Sequence, residues 1–134
     1  MYLLDTNVVS EFRKPRPHGA VLSWLKGVDD ADLFISAVTL GEIQAGIELT
    51  REQDSDKASS IELWADQMAA TYNVLPMTAE VFRQWAKLMH KQSNTVSEDA
   101  MIAATAMVHQ LSVVTRNVND FERFGVNIIN PFVA

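Results

Sequence analysis

Short apolar runs alternate with longer amphipathic stretches along the chain. Runs of three to five mainly apolar residues that stop at polar positions predict buried strands, whereas apolar residues recurring every three to four positions predict helices. The predicted strands cover residues 2–4, 33–36, 74–77, 112–115 and 126–129. The predicted helices cover residues 21–28, 38–49, 54–71, 78–89 and 100–111, with a helical turn at 120–124.

This regular alternation predicts an α/β fold, a three-layer sandwich with a short, mostly parallel central sheet flanked by helices. Pro76 falls in the third predicted strand and favours either an edge position or the end of the strand, because proline cannot donate to a neighbouring strand. Thr95 and Glu98 have the spacing of a capping box at the start of the last long helix. The 134 residues match one domain, so we expect a single domain over 1–134.

The amino-acid composition excludes several kinds of site and of cellular location. The chain has no cysteine, which excludes disulfides, cysteine-ligated zinc, iron–sulfur clusters and thiol nucleophiles. Its longest apolar run, residues 100–108, is far shorter than the roughly 20 residues of a membrane span, and its start lacks signal-peptide features. We therefore expect a cytoplasmic protein with no membrane association. The net charge of −6 argues against nucleic-acid binding by bulk charge alone.

Three carboxylates lie beside predicted core elements. Asp5 directly follows the first strand, at the sheet edge where such folds bind ligands, although it could simply cap the next helix. Glu42 shares a helix face with small and apolar residues and is expected to be partly buried, unless it is an exposed boundary residue. Asp99 lies in the first turn of a central helix, where the helix dipole alone would favour an acid. Gly46, one turn after Glu42, suggests close approach by another backbone or by a substrate.

Two further polar residues follow the fourth strand. Asn117 and Asp120 lie near its carboxyl end, where they could also be turn residues only. Carboxylates gathered in one cleft repel one another unless a cation is present. Oxygen ligands without cysteine or convergent histidine suit Mg²⁺ or Mn²⁺, which can activate water and neutralise a phosphodiester.

The residues at these positions resemble the PIN-domain family, and in particular the VapC/FitB-like toxins of type II toxin–antitoxin modules. The matching segments span essentially the whole chain. They are Asp5-Thr6-Asn7, Glu42-x-x-x-Gly46, Asp99-x-x-Ile102-Ala103-Ala104 and Thr115-Arg116-Asn117-x-x-Asp120-Phe121. The resemblance implies a PIN-like fold and an Mg²⁺- or Mn²⁺-dependent endoribonuclease.

The same resemblance assigns roles to residues. Asp5, Glu42 and Asp99 would be catalytic and would hold the metal, with Asn117 or Asp120 as a further ligand. Thr6, Asn7 and Thr115 would be supporting polar residues. The expected partners are an RNA substrate, a second copy of the chain and a small antitoxin that covers the site and carries operator-DNA binding. Basic residues that could contact RNA are Arg13, Lys14, Arg16 and Arg116.

Other interpretations remain open from the sequence. A metal-dependent DNase would use the same acids, and an inactive PIN-like interaction or scaffold subunit would keep the fold without the chemistry. A haloacid-dehalogenase-type phosphatase is disfavoured because Asn7 stands where a second aspartate would be needed. The glycines form no phosphate-binding loop. Trp24, Trp64 and Trp85 lie on helical stripes and are interpreted as core or interface residues rather than base-stacking platforms.

Overall fold

The computed structural model describes residues 1–133, in which strands and helices alternate. The strands are β1 (Tyr2–Leu4), β2 (Leu33–Ser36), β3 (Asn73–Leu75), β4 (Ser112–Val114) and β5 (Ile128–Ile129). The helices are α1 (Thr6–Val9), α2 (Gly19–Lys26), α3 (Ala37–Arg51), α4 (Ser55–Thr71), α5 (Ala79–Met89), α6 (Ser97–His109) and α7 (Val118–Glu122). Single 3₁₀ turns cover Ser10–Arg13, Asp30–Asp32 and Asn94–Val96.

The strands form one sheet in the order β3-β2-β1-β4-β5, and every neighbouring pair is parallel. The central strand β1 pairs Leu4 with Ile35 of β2 and with Val114 of β4. The carboxyl ends of these three strands therefore meet at the same edge of the sheet. The predicted α/β class is confirmed, and β3 lies at the edge and ends directly before Pro76, so both positions considered for this proline are met.

The two faces of the sheet are covered by different helices, because successive strand side chains point to opposite sides. Leu3 and Val113 pack on one face against α5 and α6, in a cluster that includes the buried Ile102 and Phe121. Leu4 and Val114 pack on the other face against α1, α2 and α4. This alternation explains the nearly continuous apolar character of each strand, since both faces are buried.

Two local predictions needed correction. The capping box is wrong: Val96 caps α6 without a side-chain hydrogen bond, and Thr95 instead donates its backbone N–H to Ser93 Oγ at 3.3 Å. The helix cap considered for Asp5 is confirmed, but the helix that it begins, α1, had no predicted range because its four residues are too few to show a periodic pattern. Among the described residues, no helix has the length and apolarity that spanning a membrane requires.

Candidate active site

Asp5 is the central residue of the site and is almost completely buried. Its backbone N–H extends the sheet by donating to the Val114 carbonyl at 2.9 Å, which fixes the residue at the end of β1. Its side chain caps α1: Oδ1 accepts from the Thr6 backbone N–H at 2.8 Å. Oδ2 accepts from the Thr115 hydroxyl at 2.8 Å and from Asn7 Nδ2 at 3.1 Å. Capping and site formation therefore use the same carboxylate.

Thr6 links this strand end to α3. Its hydroxyl donates to Glu42 Oε1 at 3.1 Å and lies 3.3 Å from the hydroxyl oxygen of the buried Thr39. Helix α3 starts immediately after β2, because the Ser36 hydroxyl accepts the Val38 backbone N–H at 3.1 Å. Glu42 is thereby held, half-buried, at the same end of the sheet as Asp5.

Thr115 connects the third element of the site. It is fully buried after β4, and its hydroxyl oxygen also accepts the Asn117 backbone N–H at 3.0 Å. Asn7 also connects the end of β1 with the segment after β4, since its Oδ1 accepts the Arg116 backbone N–H at 3.2 Å. The predicted supporting residues Thr6, Asn7 and Thr115 therefore form one hydrogen-bonded frame around Asp5.

The carboxylates interact with one another through space. Burial raises the pKa of Asp5, and the charge of Asp120 raises it further, against the lowering effect of its hydrogen bonds. Burial, together with the charges of Asp5, Asp120 and Glu98, raises the pKa of Asp99 to about 6. Burial, with the charges of Asp5, Glu98 and Asp99, raises the pKa of Glu42 to about 7. The predicted acids thus converge on one anionic region.

No basic group neutralises this region directly. Within residues 1–133, ion pairs involve Lys14 with Glu11 and Arg51 with Glu48 and Glu62, and none reaches the converging acids. Among the groups that influence the pKa of Asp99 most, Arg123 is the one basic residue, and its charge lowers that pKa from a distance. The negative charge is therefore left for a ligand to balance.

The donor set fits a hard divalent cation. It offers carboxylate and hydroxyl oxygens without nitrogen or sulfur, as Mg²⁺ and Mn²⁺ prefer. Among the described residues, no three acidic or histidine side chains lie close enough together to hold a metal ion between them. Mg²⁺ commonly uses one or two carboxylates and keeps several waters, so an open arrangement of this kind fits a hydrated ion.

Asn117 and Asp120 are the two candidates for the further metal ligand predicted from the sequence. Asn117 precedes α7 and is exposed, and its side chain makes no capping hydrogen bond. Asp120, one turn further, is half-buried and close enough to raise the pKa of both Asp5 and Asp99. The negative charge at this edge of the site therefore comes from Asp120.

The basic residues that were predicted to contact RNA are all exposed, but their side chains make different contacts. Lys14 is paired with the buried Glu11, whose other oxygen accepts the His18 backbone N–H at 2.9 Å. The Arg116 guanidinium lies 3.9 Å from the centre of the Phe132 ring. Arg13 borders a groove that also contains Thr6 and Glu42. Arg16 makes no side-chain hydrogen bond or ion pair with the described residues.

Sequence reasoning missed two residues that shape the site. Thr39 is an isolated threonine in a helix, and only the fold shows that it meets Thr6. Arg123 follows α7 on the surface, and nothing in its sequence context indicates that its charge would act on Asp99. Each of these interactions joins residues that are far apart along the chain, so no local spacing could reveal them.

Comparison with known proteins agrees with this geometry. Residues 2–127 match the family model described as PIN domain. The chain belongs to the PIN-domain family. It is 36% identical to VapC ribonuclease Y4jK of Sinorhizobium fredii, over 98% of both chains. It is 31% identical to toxin FitB of Neisseria gonorrhoeae, over 98% of this chain and 99% of FitB.

Solved structures of PIN-domain proteins have the same fold. The FitAcB crystal structure from Neisseria gonorrhoeae superposes with a TM-score of 0.86 at 29% identity, over 100% of both chains. The structure of FitAB bound to an IR36 DNA fragment gives a TM-score of 0.85 at 30% identity, over 100% of this chain and 97% of the other.

Proposed function

We propose that this PIN-domain chain is an endoribonuclease toxin that is neutralised by a cognate antitoxin. The observation that carries the proposal is the convergence of Asp5, Glu42 and Asp99 into one uncompensated anionic region. The relatives named ribonuclease and toxin match the chain over nearly its whole length, which supports the same activity. Residues 1–134 would act as one PIN-like domain, and the activity would depend on Mg²⁺ or Mn²⁺.

Asp5 and Asp99 would be the principal ligands of the cation, with Glu42 and Asp120 at its margin and Asn117 as a further oxygen donor. A bound divalent cation supplies positive charge against the phosphodiester and lowers the pKa of water. Thr115 and Asn7 keep the Asp5 carboxylate in one orientation through the hydrogen bonds to Oδ2. The network therefore fixes the ligand geometry before substrate arrives, which reduces the cost of binding.

Glu42 would receive the proton of the attacking water. The Thr6 hydroxyl occupies Oε1 and leaves the second carboxylate oxygen without a hydrogen-bond partner among residues 1–133. In the absence of the cation, burial and the neighbouring acids raise the pKa of Glu42 to about 7, and a bound cation would offset the part that comes from the acids but not the part that comes from burial. The free oxygen and the burial of the carboxyl group therefore suit Glu42 to the role of proton acceptor.

RNA binding by an acidic protein requires local positive charge. The exposed basic residues on the segments that follow β1 and β4 are Arg13, Lys14, Arg16 and Arg116, and Arg13 lines the groove that contains Glu42. Their side chains would contact the phosphates on either side of the cleaved bond. Each phosphate contact adds to binding and makes it weaker at high salt.

The proposed partners follow from the relatives. Solved relatives include toxin–antitoxin complexes, and one FitAB structure contains a DNA fragment. We expect an antitoxin that covers the anionic region and carries the operator-DNA contact, and a chain that forms a homodimer. The expected location of such a module is the cytoplasm.

A cleavage assay with matched variants tests the proposal. Purified protein is incubated with tRNA and rRNA in Mg²⁺, in Mn²⁺ and in EDTA, beside the variants Asp5→Asn and Asp66→Asn. Asp66 is an exposed acid on α4 and serves as the control. We expect cation-dependent cleavage by the wild type and by Asp66→Asn only.

Each alternative gives a different result. Cleavage that survives both EDTA and Asp5→Asn would overturn the metal mechanism. Cation-dependent cleavage of DNA but not of RNA would identify a DNase. No cleavage of either nucleic acid, with intact antitoxin binding, would identify an inactive interaction subunit.

A further inference from the structure

A groove of about 270 Å³ opens directly beside the candidate active site. It shares Thr6 and Glu42 with that site and continues between the 3₁₀ turn after α1 and the pair α3 and α4. Its lining includes the apolar side chains of Ile43, Ile61 and Trp64. The groove is therefore continuous with the place where a phosphodiester would be cleaved.

Gly46 forms part of this groove and has no packing role. It lies in the middle of α3, where glycine is among the least favourable residues. A Cβ built on Gly46 would meet no atom within 4 Å, so no neighbouring backbone requires the glycine. No other backbone therefore approaches Gly46 closely, which was one of the two explanations for the glycine. What the glycine provides is free space on the groove side of α3.

The walls of the groove combine one aromatic ring with one unpaired cation. Trp64 is half-buried: part of its indole packs in the core and part lines the groove. Arg13 is exposed and makes no ion pair with the rest of the described chain. Binding pockets for drug-sized ligands have volumes of about 300–1,000 Å³, so this groove suits a group that is smaller than such a ligand.

We propose that the groove binds the nucleotide next to the cleaved phosphate, with its base on the Trp64 side and its phosphate at Arg13. This inference rests on the proposed ribonuclease function and adds the subsite that would give base preference. Every nucleobase has an aromatic face that can stack on an indole, and an arginine matches the negative phosphate. An apolar peptide of a partner protein would pack against Trp64 but would leave Arg13 without a negative group to pair with.

The test substitutes Gly46 with a larger residue whose side chain occupies the groove. Gly46→Leu is compared with Gly41→Leu, a matched control on the same helix whose Cβ also meets no atom within 4 Å but which lies outside the groove. Both variants are made in the Asp5→Asn background, so that RNA is bound without being cut. The readouts are the melting temperature and the Kd for a fluorescein-labelled single-stranded RNA that contains a mapped wild-type cleavage site.

Leucine is a better helix former than glycine, so both variants should melt no lower than their parent. The Kd should rise about tenfold for Gly46→Leu, the size of one lost base-stacking contact, and stay unchanged for Gly41→Leu. With Asp5 restored, Gly46→Leu should lose base preference at one position beside the cut. If Gly46→Leu lowers the melting temperature, Gly46→Ala replaces it and should show a smaller change in the same direction.

Equal Kd values and unchanged base preference for the Gly46 and Gly41 variants would overturn the inference. The same holds if Gly46→Leu weakens only the binding of a partner protein, because the groove would then hold a peptide. Either result leaves wild-type RNA cleavage intact and the proposed function standing. Failure of the wild type to cleave RNA would instead overturn the proposed function itself.

Discussion

Replacing Glu42 with glutamine should stabilise the protein above neutral pH in a chelator while it abolishes RNA cleavage. The pKa of Glu42 is raised from an ordinary 4.5 to about 7 by burial and by the nearby acids Asp5, Glu98 and Asp99. An acid with a raised pKa in the folded state destabilises that state once it ionises. The penalty is absent below about pH 4.5, grows between about pH 4.5 and 7, and is constant above that range.

The size of this effect follows from the pKa shift. A shift from 4.5 to about 7 corresponds to about 3 kcal/mol before screening by water. Glu42 is only half-buried, and water screens its charge, so about 1–2 kcal/mol is the better expectation. For a chain of this length such a change raises the melting temperature by about 3–8 °C. Glutamine keeps the side-chain oxygen that accepts the Thr6 hydroxyl, so the hydrogen bond is retained.

Thermal unfolding in EDTA at about pH 4.5 and about pH 8 measures the effect, with Asp66→Asn as the exposed control. Glu42→Gln should melt higher than the wild type at the upper pH and nearly equally at the lower pH, while Asp66→Asn stays close to the wild type at both. A Glu42→Gln variant that is less stable at the upper pH would refute the reasoning. So would a stabilisation of equal size at both pH values.

Three further predictions test other parts of the structure. Thr115→Val removes the hydroxyl that donates to Asp5 and should cost about 1–3 kcal/mol in urea unfolding, whereas an unchanged midpoint would show that this hydrogen bond is dispensable. Glu11→Gln should cost about 1–3 kcal/mol at neutral pH, because the buried carboxylate bonds Lys14 and the His18 backbone. Lys14 lowers the pKa of Glu11, so this cost should shrink as the pH falls through that pKa; a constant cost would show that the charge is irrelevant. Millimolar Mg²⁺ should raise the melting temperature of the wild type but not of Asp5→Asn, and an equal rise in both would place the ion elsewhere.

Most of the fold could be predicted because the apolar pattern records which elements are buried. Four of the five strands lie within the predicted segments and β3 begins one residue earlier, at Asn73, since most strand residues are apolar on both faces of the sheet. Helix α1 and the start of α6 were harder. The first is a single turn after Asp5, and the second begins at Ser97 through backbone geometry rather than a capping side chain.

The candidate site could be predicted only in part. Asp5 and Asp99 were identified because each lies at the polar end of a core element, which a sequence can show. Glu42 is placed beside Asp5 through Thr6 and Thr39, and this contact exists only after β1 and β2 pair. The groove at Gly46 likewise arises from the separation of α3 from the turn after α1, a tertiary distance that no spacing in the sequence encodes.

Electron paramagnetic resonance can measure Mn²⁺ binding and so test whether Asp5, Glu42 and Asp99 form one cation site on which RNA cleavage depends. We expect one saturable class of Mn²⁺ sites in the wild type and in Asp66→Asn. We expect a marked loss of Mn²⁺ affinity in Asp5→Asn and Asp99→Asn, together with their loss of cleavage. Unchanged Mn²⁺ affinity in Asp5→Asn and Asp99→Asn would contradict the proposed cation site.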